Sequence, residues 1–107
     1  MSYKRHTITG NGAIADTFGP VLSETYLDTV TLHLSAAPTT AGAFTLTLDS
    51  VDGAAFDAVL YKLDPSTAAT TDVLLTDLGF LLMPGDALKT TYANADGRTI
   101  GITFGMR

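Results

Sequence analysis

Side chains able to do chemistry are few in this chain, and each lacks the neighbours its chemistry needs. The two histidines, His6 and His33, each fall on the polar side of an expected strand. A zinc site takes about four ligands, and with no cysteine and no H-x-x-x-H spacing the simpler reading is a pair of surface histidines. Asp49, Asp52 and Asp57 surround Gly53 in a way that a hard cation could use, but the spacing is not that of an EF-hand loop. A hairpin loop whose aspartates make Asx turns accounts for them as well. Ser23 beside Glu24, and Ser66 near Asp64, place a hydroxyl near an acid without the general base or the elbow that would activate it. No glycine run matches G-x-x-x-x-G-K-[ST] or opens a helix. The expectation is a non-enzyme that needs no metal and no cofactor.

What would position such residues is a set of short strands. In Thr99-Ile100-Gly101-Ile102-Thr103-Phe104-Gly105-Met106 the apolar residues recur at every second position, the period of a strand with one buried face. Val30, Leu32 and Leu34 alternate with Thr29, Thr31 and His33, and Phe44, Leu46 and Leu48 alternate with Thr45 and Thr47. These nine apolar residues, with Ile100, Ile102 and Phe104 as the last three, are expected to share one core. Residues 80–107 read as strand, Pro84-Gly85 turn, strand, Asn94-Ala95-Asp96-Gly97 turn and strand, with 87–92 folding back onto the last strand as a hairpin. A first strand is expected over 3–9, ending at Gly10-Asn11-Gly12. Residues 13–22, broken by Gly19-Pro20, read as an irregular edge segment. Residues 56–63 are more continuously apolar, which fits a central strand buried on both sides or one that contacts a partner. Residues 72–76 are one further short strand.

Seven or eight strands with no stretch of helical spacing point to an all-β fold, a single antiparallel β-sandwich over residues 1–107, with the jelly roll as one form it could take. Composition agrees: of eleven acidic residues only Glu24 is a glutamate, lysine occurs three times, and threonine eighteen times. Threonine prefers strands, while Glu and Lys populate exposed helix faces. A net charge of −5 disfavours a phosphate-tracking surface, so no nucleic-acid partner is expected. No apolar run is long enough for a membrane span, and no signal peptide is expected. Without cysteine the fold cannot rest on disulfides.

Two sets of residues bear on partners. Tyr3, Tyr26, Tyr61 and Tyr92 could stack on sugar rings, or could be ordinary strand tyrosines with a buried ring and a wet hydroxyl. Gly101 and Gly105 lie opposite the core face of the last strand, where glycine marks either a bend or a close backbone approach. With Thr99, Thr103 and Tyr61 they form the candidate interface.

The segment 60–67, LYKLDPST, followed by 81–104, LLMPGDALKTTYANADGRTIGITF, resembles small β-sandwich virion proteins encoded in tailed-bacteriophage structural gene clusters. In those a strand ending near D-P-S-T is followed by a P-G-D hairpin, a strand closing in Y-A-N, and a last alternating strand. The resemblance covers roughly the C-terminal half and implies a virion location and shape-based function with no catalytic residues. The expectation it supports is a capsid decoration or cement protein, a homotrimer seated on the major capsid protein. The alternative is a tail or fibre domain that binds a host receptor or glycan.

Overall fold

The computed structural model describes residues 4–107. Nine strands make two antiparallel sheets. They are β1 (Lys4–Gly10), β2 (Ile14–Phe18), β3 (Thr25–Leu34), β4 (Phe44–Asp49), β5 (Ala58–Leu63), β6 (Asp72–Leu75), β7 (Phe80–Leu82), β8 (Ala87–Tyr92) and β9 (Ile100–Met106), with one 3₁₀ turn at Ala54–Phe56. One sheet has the order β1-β9-β3-β6, with β7 also on β3, and the other has the order β2-β8-β4-β5. Taking β6 and β7 as one interrupted strand, this is the order of a jelly roll. The expected all-β antiparallel sandwich is therefore what the chain forms.

The alternation read from the sequence sets the core. Val30, Leu32, Leu34, Phe44, Leu46, Ile100, Ile102 and Phe104 are buried together, and Leu48 packs partly buried against them. Thr25, Leu27 and Val30 face inward around a register shift between Leu27 and Thr29, a bulge that lets β3 pair with β7 first and with β6 further along.

Four expectations about the strands need correction. Residues 87–92 do not fold back onto the last strand: β8 pairs with β2 and β4 in the opposite sheet. Leu88 and Tyr92 of β8, and Ile100, Ile102, Phe104 and Met106 of β9, are all buried in the same core. Two adjacent layers satisfy both sets, so the Asn94–Gly97 turn is a corner between sheets rather than a hairpin. Asn94, at φ 50°, holds that corner: its amide donates to the carbonyls of Gly12 and Arg98, and its Oδ1 accepts from Arg98 N–H. The Pro84-Gly85 turn is a second corner, from β7 to β8. Residues 13–22 contain a regular strand, β2, although it is an edge strand as read and ends before Gly19. Residues 56–63 are not a central strand, because β5 is the outer strand of its sheet. Tyr3, expected to open the first strand, lies outside the described residues.

Two aspartates fix the loops at the ends. Asp86 is only 5% exposed; its two carboxylate oxygens accept the N–H groups of Val51 and Met83, at 2.8 and 2.9 Å. Its carbonyl accepts from Val21 N–H, so one residue ties three connections together. Asp96 accepts the N–H groups and hydroxyls of Thr39 and Thr40. Those donors, Thr40 first, lower its pKa to about 2.

Candidate functional site

The five residues expected to form an interface do not form one site. Gly101, Thr103 and Gly105 do share a surface, the outer face of the β1-β9-β3-β6 sheet. Thr7, Thr103, Thr31 and Leu74 lie side by side across its four strands, flanked by a row of Thr9, Gly101, His33 and Asp72. Thr99 sits just before β9 and is spent on the strand end, exchanging backbone and hydroxyl hydrogen bonds with Ser35. Tyr61 belongs to the other sheet and packs against the core, its ring 6.3 Å from that of Phe44.

The two glycines differ. A Cβ on Gly105 would collide with Thr29 Oγ1, whereas one on Gly101 would meet nothing within 4 Å. Gly105 is explained inside the chain: the bulge of β3 turns Thr29 over it, and the close approach there is to a side chain of the same molecule.

Of the polar residues considered for chemistry, His6, His33, Asp49, Asp57, Asp64 and Ser66 are engaged structurally. His33 is exposed, as read, and its Nδ1 lies 2.6 Å from Asp72 Oδ1. That contact, and then the Thr71 hydroxyl, lower the Asp72 pKa. His6 is not on the polar side of its strand. Its ring turns inward between Phe18 and Phe104, at 4.9 and 5.8 Å. Its Nε2 lies 2.9 Å from Asp16 Oδ2, joining β1 of one sheet to β2 of the other. Directly across from Asp16 is Thr90, fully buried, whose hydroxyl has no partner.

Ser66 donates its hydroxyl to Asp64 Oδ1 at 2.7 Å, and its N–H to the same oxygen. Both bonds lower the Asp64 pKa, and this is the Asx turn that ends β5. Asp57 accepts from Ser50 N–H, and Asp49 pairs with Lys89 at 3.5 Å. Among the described residues no three His, Asp or Glu side chains converge as a metal site would require. The described tyrosines form no common platform: Tyr92 is buried in the core and Tyr26 lies under the Arg107 guanidinium, 4.6 Å from its ring centre. Arg107 in turn donates to Asp28 Oδ2 at 2.8 Å.

What the alternation did not reveal is a difference between the two lateral sides of the sandwich. The β1/β2 side is closed by the His6–Asp16 bridge. The β5/β6/β7 side is open and apolar. There Leu27, Leu46, Leu60, Tyr61, Leu75, Leu78 and Phe80 line a cleft of about 150 Å³ between the sheets. On the edge strands beside it Leu74 (66% exposed) and Leu81 face out from one sheet and Val59 (58%) from the other, Leu78 at its rim is exposed as well, and Phe56 (63%) stands on the 3₁₀ turn before β5. The run Val59-Leu60-Tyr61 explains how one edge strand serves both cleft and surface. The β4/β5 register shifts there, pairing Thr47 with Val59 and Leu46 with Tyr61. Leu60 is the extra residue, Val59 faces outward, and both Leu60 and Tyr61 pack against the core. The unbroken apolar run was the available signal; it marks a bulged edge as readily as a buried strand.

No protein-family model matches the chain, and no curated protein sequence matches it. No helix among the described residues is long and apolar enough to cross a membrane.

Proposed function

We propose that this chain is a structural subunit of a virion, acting through protein contacts rather than through catalysis, with a capsid decoration or cement role as the form that fits best. The observation that carries the reading is the open apolar side, β5 with β6 and β7. A monomer that must stay dissolved seldom exposes several large apolar side chains around a free sheet edge. Contact with another protein removes that liability, and with few charges nearby the desolvation cost is small.

Two further features support the reading. Both histidines and most of the aspartates that could have served a reaction are engaged in capping turns, pairing strands and closing one side of the sandwich. The strand order is that of a jelly roll, an architecture that hosts capsid domains and lectins alike, so fold analogy is compatible with both a head and a fibre role. The glycan-stacking version of the fibre role has no comparable observation, because the described tyrosines lie in separate environments.

The test is to quantify the protein in purified particles of the virus whose genome encodes it. Hundreds of copies per particle are expected for decoration, and a handful would place it in the tail. Absence from particles would refute the virion reading. Where it is abundant, particles stripped of it should break at lower temperature, because a ligand that binds only the assembled lattice stabilises it by mass action.

A further inference from the structure

Three dipeptides in the chain place an asparagine or aspartate before glycine: Asn11-Gly12, Asp52-Gly53 and Asp96-Gly97. In such a pair the main chain can attack its own side chain. The glycine nitrogen adds to the side-chain carbonyl carbon, and glycine leaves that approach unhindered because it carries no Cβ. The structure separates the three.

Asp96 is held at both ends of the reaction. Its carboxylate accepts from the N–H groups and hydroxyls of Thr39 and Thr40, and Gly97 N–H donates to the Asn94 carbonyl at 3.0 Å. Asp52 is exposed, but Gly53 N–H donates to the Ser50 carbonyl at 3.2 Å, and an ionised carboxylate is a poorer electrophile than a carboxamide. Asn94, the other asparagine of the chain, is buried, with both ends of its amide hydrogen-bonded, and alanine follows it. Asn11 is exposed in the bend between β1 and β2. Among the described residues, neither its carboxamide nor the Gly12 N–H has a hydrogen-bond partner. A Cβ on Gly12 would meet nothing within 4 Å.

We infer that Asn11-Gly12 is a site of spontaneous covalent modification, where Asn11 becomes isoaspartate and the corner held by Asn94 is loosened. Gly12 N attacks Asn11 Cγ and closes a cyclic imide; the bond from Cγ to the amide nitrogen breaks, and ammonia leaves with the proton given up by Gly12 N. Water then adds to one of the two imide carbonyls. Opening at the side-chain carbonyl gives an ordinary aspartate. Opening at the main-chain carbonyl leaves Gly12 attached through Cγ, an isoaspartate whose main chain is one carbon longer. Nothing is oxidised or reduced, and either product adds a negative charge to a chain of net −5.

The extra carbon falls beside a contact that the fold uses. The Gly12 carbonyl accepts from the Asn94 amide at 3.0 Å, one of the three bonds that fix the corner between β8 and β9. A Cβ on Gly97, in the same corner, would stand 3.6 Å from the Asn11 carbonyl oxygen. Lengthening the chain between residues 11 and 12 shifts the Gly12 carbonyl relative to Asn94, which is buried, where a lost partner is costly.

The experiment is incubation of the folded full chain in mildly alkaline buffer at body temperature. Peptide mass spectrometry with electron-transfer fragmentation locates the product and distinguishes isoaspartate from aspartate, and the isoforms are separated by ion exchange and melted. Asn11 should be lost at least tenfold faster than Asn94, with Asp52 and Asp96 unchanged over the same time. Gly12→Ala, whose methyl has room, should slow the loss at least tenfold, with its folding checked by circular dichroism; Asn11→Gln, which needs a larger ring, should abolish the product. The isoaspartate isoform should melt below Asn11→Asp, which carries the same charge on an unlengthened chain. Asn11 that stays intact in the folded chain but is lost in urea would overturn the inference, because the bend would then be holding it. So would isomerisation at Asp52 or Asp96 that outruns Asn11, or an isoaspartate isoform that melts together with Asn11→Asp. All of these outcomes are read on the free chain, so the virion reading stands or falls separately.

Discussion

Replacing Asp86 tests how the loops that carry the exposed apolar residues are held. Its carboxylate accepts two backbone N–H groups, from Val51 and Met83, and is almost fully buried. A hydrogen bond to a charged acceptor contributes about 1.5–3 kcal/mol, so the two together are worth about 3–6 kcal/mol before relaxation. Val51 and Met83 are exposed residues, and water can reach their N–H groups once the carboxylate is gone. Asp86→Ala is therefore expected to cost about 2–4 kcal/mol, the lower part of that range extended downward by resolvation. Asp86→Asn keeps one acceptor and presents an NH₂ to the other donor, so it should lose about half as much. The measurement is urea unfolding at neutral pH, comparing midpoints at constant m-value. An Asp86→Asn variant within about 0.5 kcal/mol of wild type would show that the paired hydrogen bonds are not what ties these loops, and the reasoning would fail.

Four other outcomes follow. Phe104→Ala removes a fully buried ring at the centre of the core and should cost about 3–5 kcal/mol, read as a large fall in melting temperature. Thr90→Val should leave stability unchanged or raise it by about 1 kcal/mol, because it replaces an unpartnered buried hydroxyl with a methyl of the same shape; a clear loss in urea unfolding would mean that the hydroxyl is bonded. Gly105→Ala should destabilise through its collision with Thr29, and Thr29→Ala should largely rescue it, while Gly101→Ala should be tolerated; equal effects at both glycines would refute the distinction. Asp96 titrates near 2 in the folded chain and near the ordinary carboxylate value when unfolded. Its contribution is present above about pH 4 and is lost as pH falls toward 2. Asp96→Asn should flatten the dependence of melting temperature on pH in that window, and an unaltered slope would count against the Thr39–Thr40 contact.

The core was legible because it depends on one physical rule applied locally. Each of the long strands places apolar residues on every second position, and burial of that face follows whichever neighbours it finds. Pairing was less legible. Asn94 and Gly97 supply the positive φ that a hairpin turn needs, but a corner between two sheets needs the same conformations. Local sequence does not say whether the chain after the turn stays in its sheet or crosses the core. What decides it is the three hydrogen bonds of the Asn94 side chain, one of them to Gly12, a residue far away in sequence. His6 was misplaced for a related reason. By type it belongs on a wet face, and its inward position is tolerable because Asp16, on a strand of the other sheet, meets its ring nitrogen there.

The open apolar side was harder to read than the core because no single residue type announces it. Gly101 and Gly105 stood out as exceptions in the best strand, yet Gly105 answers to Thr29 and only Gly101 faces open space. The open side is instead assembled from residues that look like ordinary strand members. Leu74 breaks no rule in Asp72–Leu75, and Val59 breaks none in Ala58–Leu63. They become unusual once the strand order puts β5 and β6 at the same lateral end of two sheets, with nothing beyond them. Leu74 and Val59 point away from the core, on the outer faces of the two edge strands, while Leu75 and Leu60 beside them pack against it. The sandwich closes its other end with a histidine and an aspartate and leaves this end open, which is why the proposed protein contact is sought here.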